Sequence, residues 1–188
     1  MIKLLDNVTT PANNEYLHNL LLDHPWYFLK NTAYSKIDKN RAYESTWQWM
    51  IYNEGNVNSH LMNLCENLLI NGLHKIDYPL TKLIRIRAGF STRTPYTITH
   101  DPHVDWETEH MTALYYVNDS DGDTIFYDRV RSQDEDLSYK ILEKEQLNES
   151  QRITPKADRM VLFDGMNYHS SCTPTETDYR IILNFNFI

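Results

Sequence analysis

Hydrophobic positions along the chain change their period once, near residue 72. Before it the pattern is helical. Thr10-Pro11 predicts a helix start, with Thr as N-cap and Pro at the first helical position. Leu17, Leu20 and Leu21 then share one face, and His24-Pro25 ends the element. Trp26-Tyr27-Phe28-Leu29 reads as a strand, and residues 31–55, aromatic and polar without a clear period, read as loops with short strands. Over 57–71, Val57, Leu61, Leu64, Cys65, Leu68 and Leu69 recur at i, i+3, i+4 spacing, which predicts a second helix with Cys65 in the core. Gly72 then supplies a left-handed C-terminal residue.

Beyond Gly72 the reading is β. Residues 82–88 alternate, with Arg85 and Arg87 on one face and Ile84 and Ile86 on the other. Residues 111–117 form a strand, 118–123 an acidic turn, and 124–128 its expected hairpin partner. The charged stretch 129–152 reads as a long loop with a short helix near 137–147, either a solvated insertion or a substrate lid. Residues 160–163 and 179–188 close the chain as strands. In the last, Ile181, Leu183, Phe185 and Phe187 point one way, and Arg180, Ile182, Asn184 and Asn186 the other. The first face suits a cover of helices and the second a polar cavity. Helices followed by a run of strands predict a mainly β, α+β fold, with helices packed on one sheet face.

Composition narrows the class. The 188 residues suit one domain, with 1–79 as a helical and aromatic flank and 80–188 as the β core. Thirteen tyrosines against five glycines favour sheet. The net charge of −8 argues against nucleic acid as a partner. No apolar run is long enough to span a membrane and no secretory leader is evident, so a cytoplasmic protein is expected. Cys65 and Cys172 are far apart and outside any CxxC motif.

The candidate chemistry begins at His103-Val104-Asp105. In an extended segment residues i and i+2 share a face, so the imidazole and carboxylate can aim at one point. Such a pair plus a distant histidine makes a 2-His-1-carboxylate triad, whose mixed N/O donors and open positions suit Fe(II). A lone H-x-D arises readily by chance; its weight here comes from His169 after the 160–163 strand and Arg180 on the polar face of the last strand. An arginine there could grip a dicarboxylate in two-pronged fashion, and Tyr116 could add a hydroxyl. His100 and Asp101 are rival ligands of lower rank. His74 and His110 are expected at the surface, Cys172 as a buried thiol and Tyr115 in the core. Trp47 and Trp49 are expected either in the core or as an aromatic substrate wall.

These pieces resemble the 2-oxoglutarate- and Fe(II)-dependent dioxygenases, in particular the prolyl-4-hydroxylase-like branch and its small phage-encoded members. The resemblance rests on His103-Val104-Asp105, Thr112-Ala113-Leu114-Tyr115-Tyr116-Val117-Asn118 and Thr124-Ile125-Phe126-Tyr127-Asp128. It continues through Arg159-Met160-Val161-Leu162-Phe163-Asp164-Gly165, His169 and Arg180 with Asn184-Phe185, and is strongest over 80–188. It implies a double-stranded β-helix (a jelly roll, cupin-like) whose larger sheet is buttressed by the N-terminal helices. It further implies iron bound by His103, Asp105 and His169, and the distal carboxylate of 2-oxoglutarate held by Arg180 and Tyr116. Arg87, with Arg85 as the other candidate, would line the cosubstrate end. The implied reaction uses O₂ and 2-oxoglutarate to hydroxylate a C–H bond of a protein, prolyl among the options, or of a small molecule, releasing succinate and CO₂. A carboxylate at 105 leaves no vacancy for a halide and so disfavours halogenation. Gly89 stands where phage relatives often carry Asn, and the 129–152 insertion is long for the family. The rival reading is a non-catalytic, cupin-like metal- or ligand-binding module. Nucleic-acid demethylation on the same chemistry is disfavoured by charge.

Overall fold

The structure is a computed structural model and describes residues 2–29, 46–132 and 147–188. Thirteen elements follow in chain order among the described residues. They are β1 (Ile2–Asp6), α1 (Pro11–Leu22), β2 (Tyr27–Leu29), β3 (Thr46–Asn53), β4 (Asn56–Val57), α2 (Met62–His74), β5 (Leu83–Thr92), β6 (Met111–Tyr116), β7 (Thr124–Val130), β8 (Glu149–Ile153), β9 (Arg159–Asp164), β10 (Asn167–Ser171) and β11 (Tyr179–Phe187). They form a mixed α+β fold of two antiparallel sheets and two N-terminal helices. The larger sheet runs β1-β9-β6-β11-β5-β3-β2, with β4 beside β3; the smaller runs β10-β7-β8.

Helix α1 starts as its sequence predicts. The Thr10 hydroxyl accepts from the Asn13 amide at 3.2 Å, with Pro11 next in line. Such a cap is worth about 1 kcal/mol. Leu17 and Leu21 bury against the larger sheet, as do Cys65, Leu69 and Leu73 of α2. They meet Ile181, Leu183, Phe185 and Phe187 of β11, the face expected to take helices. The opposite face of that sheet joins the smaller one through Leu114, Tyr116, Val161 and Phe163 against Phe126 and Ile153. Two-face burial of β6 and β9 explains why their sequences read as near-continuous apolar runs. Tyr115 lies in the core, as expected, and its hydroxyl donates to Asn14 at 2.6 Å and Asp158 at 3.0 Å, tying α1 to the sheet.

Several expectations need correction. Strand β1 went unforeseen because five residues before a turn carry little periodicity; its order comes from full pairing with β9 and from the Asp6–Arg159 ion pair at 2.6 Å. Residues 46–53 are one eight-residue strand, where loops with short strands were expected. A register shift between Met50 and Tyr52 breaks its alternation. Val57 belongs to β4, and α2 begins at Met62. Gly72 lies inside α2, where a Cβ would collide with the Met160 thioether; the left-handed residue after the helix is Asp77, at φ 52°. β7 is not the hairpin partner of β6. It pairs with β10 and β8 in the other sheet, so the 118–123 turn carries the chain across the molecule. Residues 149–153 are strand β8, and β10 was not expected. His110 is buried, its ring packed on Gly165, and is not a surface residue; His74 is exposed. The helix expected near 137–147 falls almost wholly outside the described residues. Among the described residues no helix is long and apolar enough to cross a membrane.

Candidate active site

Two backbone hydrogen bonds assemble the centre. The amide of His103 donates to the carbonyl of His169 at 2.9 Å, and the amide of His169 returns the bond at 3.0 Å. This isolated bridge ties an irregular segment to β10 and sets the two imidazoles 4.8 Å apart, ring centre to ring centre. The 103–105 segment is thus not the strand that the i, i+2 reasoning assumed, yet the bridge gives the same convergence. Asp105 completes the group: its Oδ2 lies 3.4 Å from His169 Nε2 and its Oδ1 4.0 Å from His103 Nε2. One ligand atom from each of the three residues lies within 4.8 Å of the others.

The tautomers are dictated by what the far side of each ring touches. His103 Nδ1 meets the Asp101 carbonyl at 3.0 Å, and His169 Nδ1 the Asn167 carbonyl at 3.1 Å. A carbonyl only accepts, so each Nδ1 must donate, which leaves each Nε2 as the ring atom turned towards Asp105 and available to a metal. Burial, then the neighbouring His169, lowers the His103 imidazole to about 4, although 28% of its side-chain surface opens to the cavity. The ring is therefore neutral near pH 7, as a metal ligand must be. Burial by itself would raise the Asp105 carboxyl. His169, Arg85 and Arg87 outweigh that and hold it well below the usual range. Two imidazole nitrogens and one carboxylate oxygen, converging on one point, fit a divalent iron.

A second constellation lies along the same cavity. The buried Arg180 donates through Nη2 to Thr124 Oγ1 at 2.8 Å, and its guanidinium lies 5.6 Å from the centre of the Tyr116 ring. Tyr116 does not reach the cavity wall. Its hydroxyl donates to the same Thr124 oxygen at 2.8 Å, so it acts at one remove from the place expected for it. Thr124 thus accepts twice, and its own proton remains to be donated into the cavity. Arg180 Nε and Asn184 Oδ1 are buried without a hydrogen-bond partner among the described residues. Such orphaned atoms are costly unless a ligand satisfies them.

Of the two arginines on β5, only Arg87 lines the cavity. Arg85 donates to Asn186 Oδ1 at 2.8 Å and to the Asp105 carbonyl at 3.1 Å, and lies over Trp106. Both pair with the Asp105 carboxylate, at 3.4 Å for Arg85 and 3.6 Å for Arg87. The rival ligands stay out of the triad: His100 Nδ1 is 2.8 Å from Ser171 Oγ, and Asp101 serves through its carbonyl. Trp49 is in the core, stacked on His24, and Trp47 packs edge-on against Phe28; neither lines the cavity. β3 contributes Thr46 and Gln48 instead. Cys172 is a buried free thiol. Thr124 and Gln48 were missed because only their neighbours in space give them a role.

The sequence family described as the 2OG-Fe(II) oxygenase superfamily matches residues 93–188, just over half of the chain and all three triad residues. The chain belongs to the 2OG-Fe(II) oxygenase superfamily. Triad and family together make it an enzyme of the 2-oxoglutarate-dependent dioxygenase type. No curated protein matches it in sequence. Solved structures match it in fold at low identity. The non-heme alpha-ketoglutarate-dependent epimerase SnoN from nogalamycin biosynthesis is 14% identical, with TM-score 0.66 over 100% of this chain and 78% of its own. A 2OG-Fe(II) oxygenase family oxidoreductase from Burkholderia pseudomallei gives 0.67 at 8% identity, over 99% and 84%. A Pseudomonas putida prolyl-4-hydroxylase gives 0.58 at 11%, over 99% and 91%.

Proposed function

We propose that this oxygenase hydroxylates a C–H bond of a small molecule or a protein side chain, prolyl residues included, with succinate and CO₂ as co-products. The observation that carries the reading is the buried Arg180–Thr124 pair facing the cavity that His103 and His169 also line. Fe(II) held by His103, Asp105 and His169 would couple the oxidative decarboxylation of 2-oxoglutarate by O₂ to oxidation of the substrate. The chain supplies the rest. Arg180 holds the distal carboxylate through its fork, Thr124 donates its proton to the same group, and Tyr116 fixes Thr124 from behind. Asn184 Nδ2 donates to Asp105 Oδ2 at 2.9 Å and so orients the carboxylate ligand. A non-catalytic binding module could grip an anion with the same guanidinium, and succinate formation separates the two readings.

The finer assignments belong to the same proposal. The two sheets are read as the walls of a double-stranded β-helix, with the triad between them and residues 1–188 as one domain. The prolyl-4-hydroxylase-like branch is supported by the motifs over 80–188.

The test is direct. Anaerobic protein with Fe(II) and 2-oxoglutarate should develop a weak visible charge-transfer band, and air should then give succinate. Arg180→Ala should weaken 2-oxoglutarate binding at least tenfold, and His169→Ala should abolish the band. No band and no succinate from folded wild-type protein would refute the reading.

A further inference from the structure

Strands β11, β5 and β3 floor the cavity in register. Arg180 lies opposite Ser91, Ile182 opposite Gly89, and Asn184 opposite Arg87, while Gln48 on β3 faces Gly89. Arg180 and Arg87 therefore mark two ends of the floor, four residues or about 13 Å apart along β5. Gly89 leaves the ground between them open: a Cβ there would sit 3.2 Å from Ile182. The lining carries two arginines and three histidines, with no aspartate or glutamate among the described residues that form it. In a chain of net charge −8 this is a local field favouring anions, against the sign of the whole molecule.

One anion, the distal carboxylate of the cosubstrate, accounts for Arg180. It does not account for Arg87. Arg85 is held by Asn186 and by the Asp105 carbonyl whatever else happens at the centre. Arg87 has two long contacts among the described residues, Gln48 Oε1 at 3.4 Å and the Asp105 carboxylate at 3.6 Å. That carboxylate carries one negative charge, already shared with Arg85, and a divalent metal would claim most of it. What remains is a guanidinium on the cavity wall beside the triad with one weak amide contact. Because Gln48 Oε1 accepts from Arg87, its Nε2 group is left as a further donor.

We propose that Arg87 and Gln48 bind a free carboxylate on the primary substrate, which is therefore a small carboxylic acid, free amino acids included, and not an internal residue of a peptide. One guanidinium and one amide match a monoanion. Phosphate sites usually gather backbone amides at a helix start, and among the described residues no helix begins at this cavity. The proposal rests on the oxygenase reading above and names the substrate of that same cavity.

The test uses the full chain loaded with Mn(II) and 2-oxoglutarate, which binds without turning over. Paramagnetic relaxation of ligand protons then reports binding near the metal. The probes are L-proline, L-leucine and glutarate, with prolinamide, leucinamide, N-acetylproline methylamide and methyl phosphate as contrasts. At least one acid is expected to bind about tenfold more tightly than its amide, a margin set by one lost charged contact. Arg87→Gln and Gln48→Leu should each erase that preference, and Gln48→Leu should do so while 2-oxoglutarate affinity without a probe changes less than about twofold. Gln48→Leu does not touch Asp105, so it separates substrate recognition from damage to the metal site. Equal binding of acids and amides, binding of none of the acids, or preference for methyl phosphate overturns the proposal. So does a large loss of 2-oxoglutarate affinity in Gln48→Leu, which would place the Arg87–Gln48 pair on the cosubstrate. Protein that takes up neither Mn(II) nor 2-oxoglutarate defeats the oxygenase reading itself; loaded protein that ignores every acid defeats only this inference.

Discussion

Thr124 shows how a single hydroxyl can be given one direction. It receives protons from Tyr116 and Arg180, which leaves its own proton to be donated into the cavity. Thr124→Val keeps the shape and removes that donor. We expect the KM for 2-oxoglutarate to rise about tenfold, equivalent to about 1.4 kcal/mol, with kcat changed much less. Tyr116→Phe should show a smaller effect of the same kind, because it loosens Thr124 without touching the ligand. Succinate formation against 2-oxoglutarate concentration distinguishes the two; a fall in kcat alone would contradict the arrangement. The same logic separates Arg85 from Arg87. They are two residues apart and alike in sequence, yet only the contacts of Asn186 and Trp106 hold Arg85 away from the cavity.

Among the elements, α2 shows why a glycine can be read wrongly. A Gly after an apolar stripe looks like a helix stop, since a left-handed residue commonly ends helices. Here Gly72 lets α2 approach the sheet at Met160. Gly72→Ala would add a methyl where the Met160 thioether stands. It should cost about 1–3 kcal/mol in urea unfolding despite the gain in helix propensity. A stabilised variant would mean that the glycine serves only the helix end. Strand β3 makes the complementary point. Thr46 and Gln48 line the cavity while Trp49 and Ile51 enter the core, so the first half of the strand does alternate. The register shift between Met50 and Tyr52 ends that pattern after a few residues, too few to mark an eight-residue strand.

Across the molecule, the crossing from the larger sheet to the smaller is pinned by Asp121. Its two carboxylate oxygens accept five hydrogen bonds, from the amides of Thr175, Glu176 and Thr177 and the hydroxyls of Thr175 and Thr177, at 2.7–3.0 Å. Burial would raise this carboxyl, but those bonds outweigh it and lower it far below its ordinary value. A carboxylate depressed in the folded state stabilises the fold above its unfolded pKa, about 3.9, and loses that stabilisation as pH falls below it. Asp121→Asn should therefore cost about 2 kcal/mol at neutral pH. It should also flatten the acid limb of the stability curve. Thermal unfolding from pH 2.5 to 7 reads both, and an unchanged acid limb would show that the loop contact contributes nothing. The molecule thus makes its site between two sheets whose connections are held by side chains, not by hairpins. The local pattern alone determined the capped start of α1, the stripe of α2, the two faces of β11 and the residue types of a facial triad with a partnering arginine, because each depends on neighbours a few positions away or on chemistry carried by single side chains. Tertiary structure alone decided that β7 leaves β6 for the other sheet, that a two-residue bridge and not a strand joins His103 to His169, that Tyr116 stands behind Thr124, and that Arg87 rather than Arg85 faces the cavity. Those are matters of pairing between segments up to 101 residues apart (Arg85 to Asn186), and pairing energy resides in the contact itself, which neither partner's own pattern records.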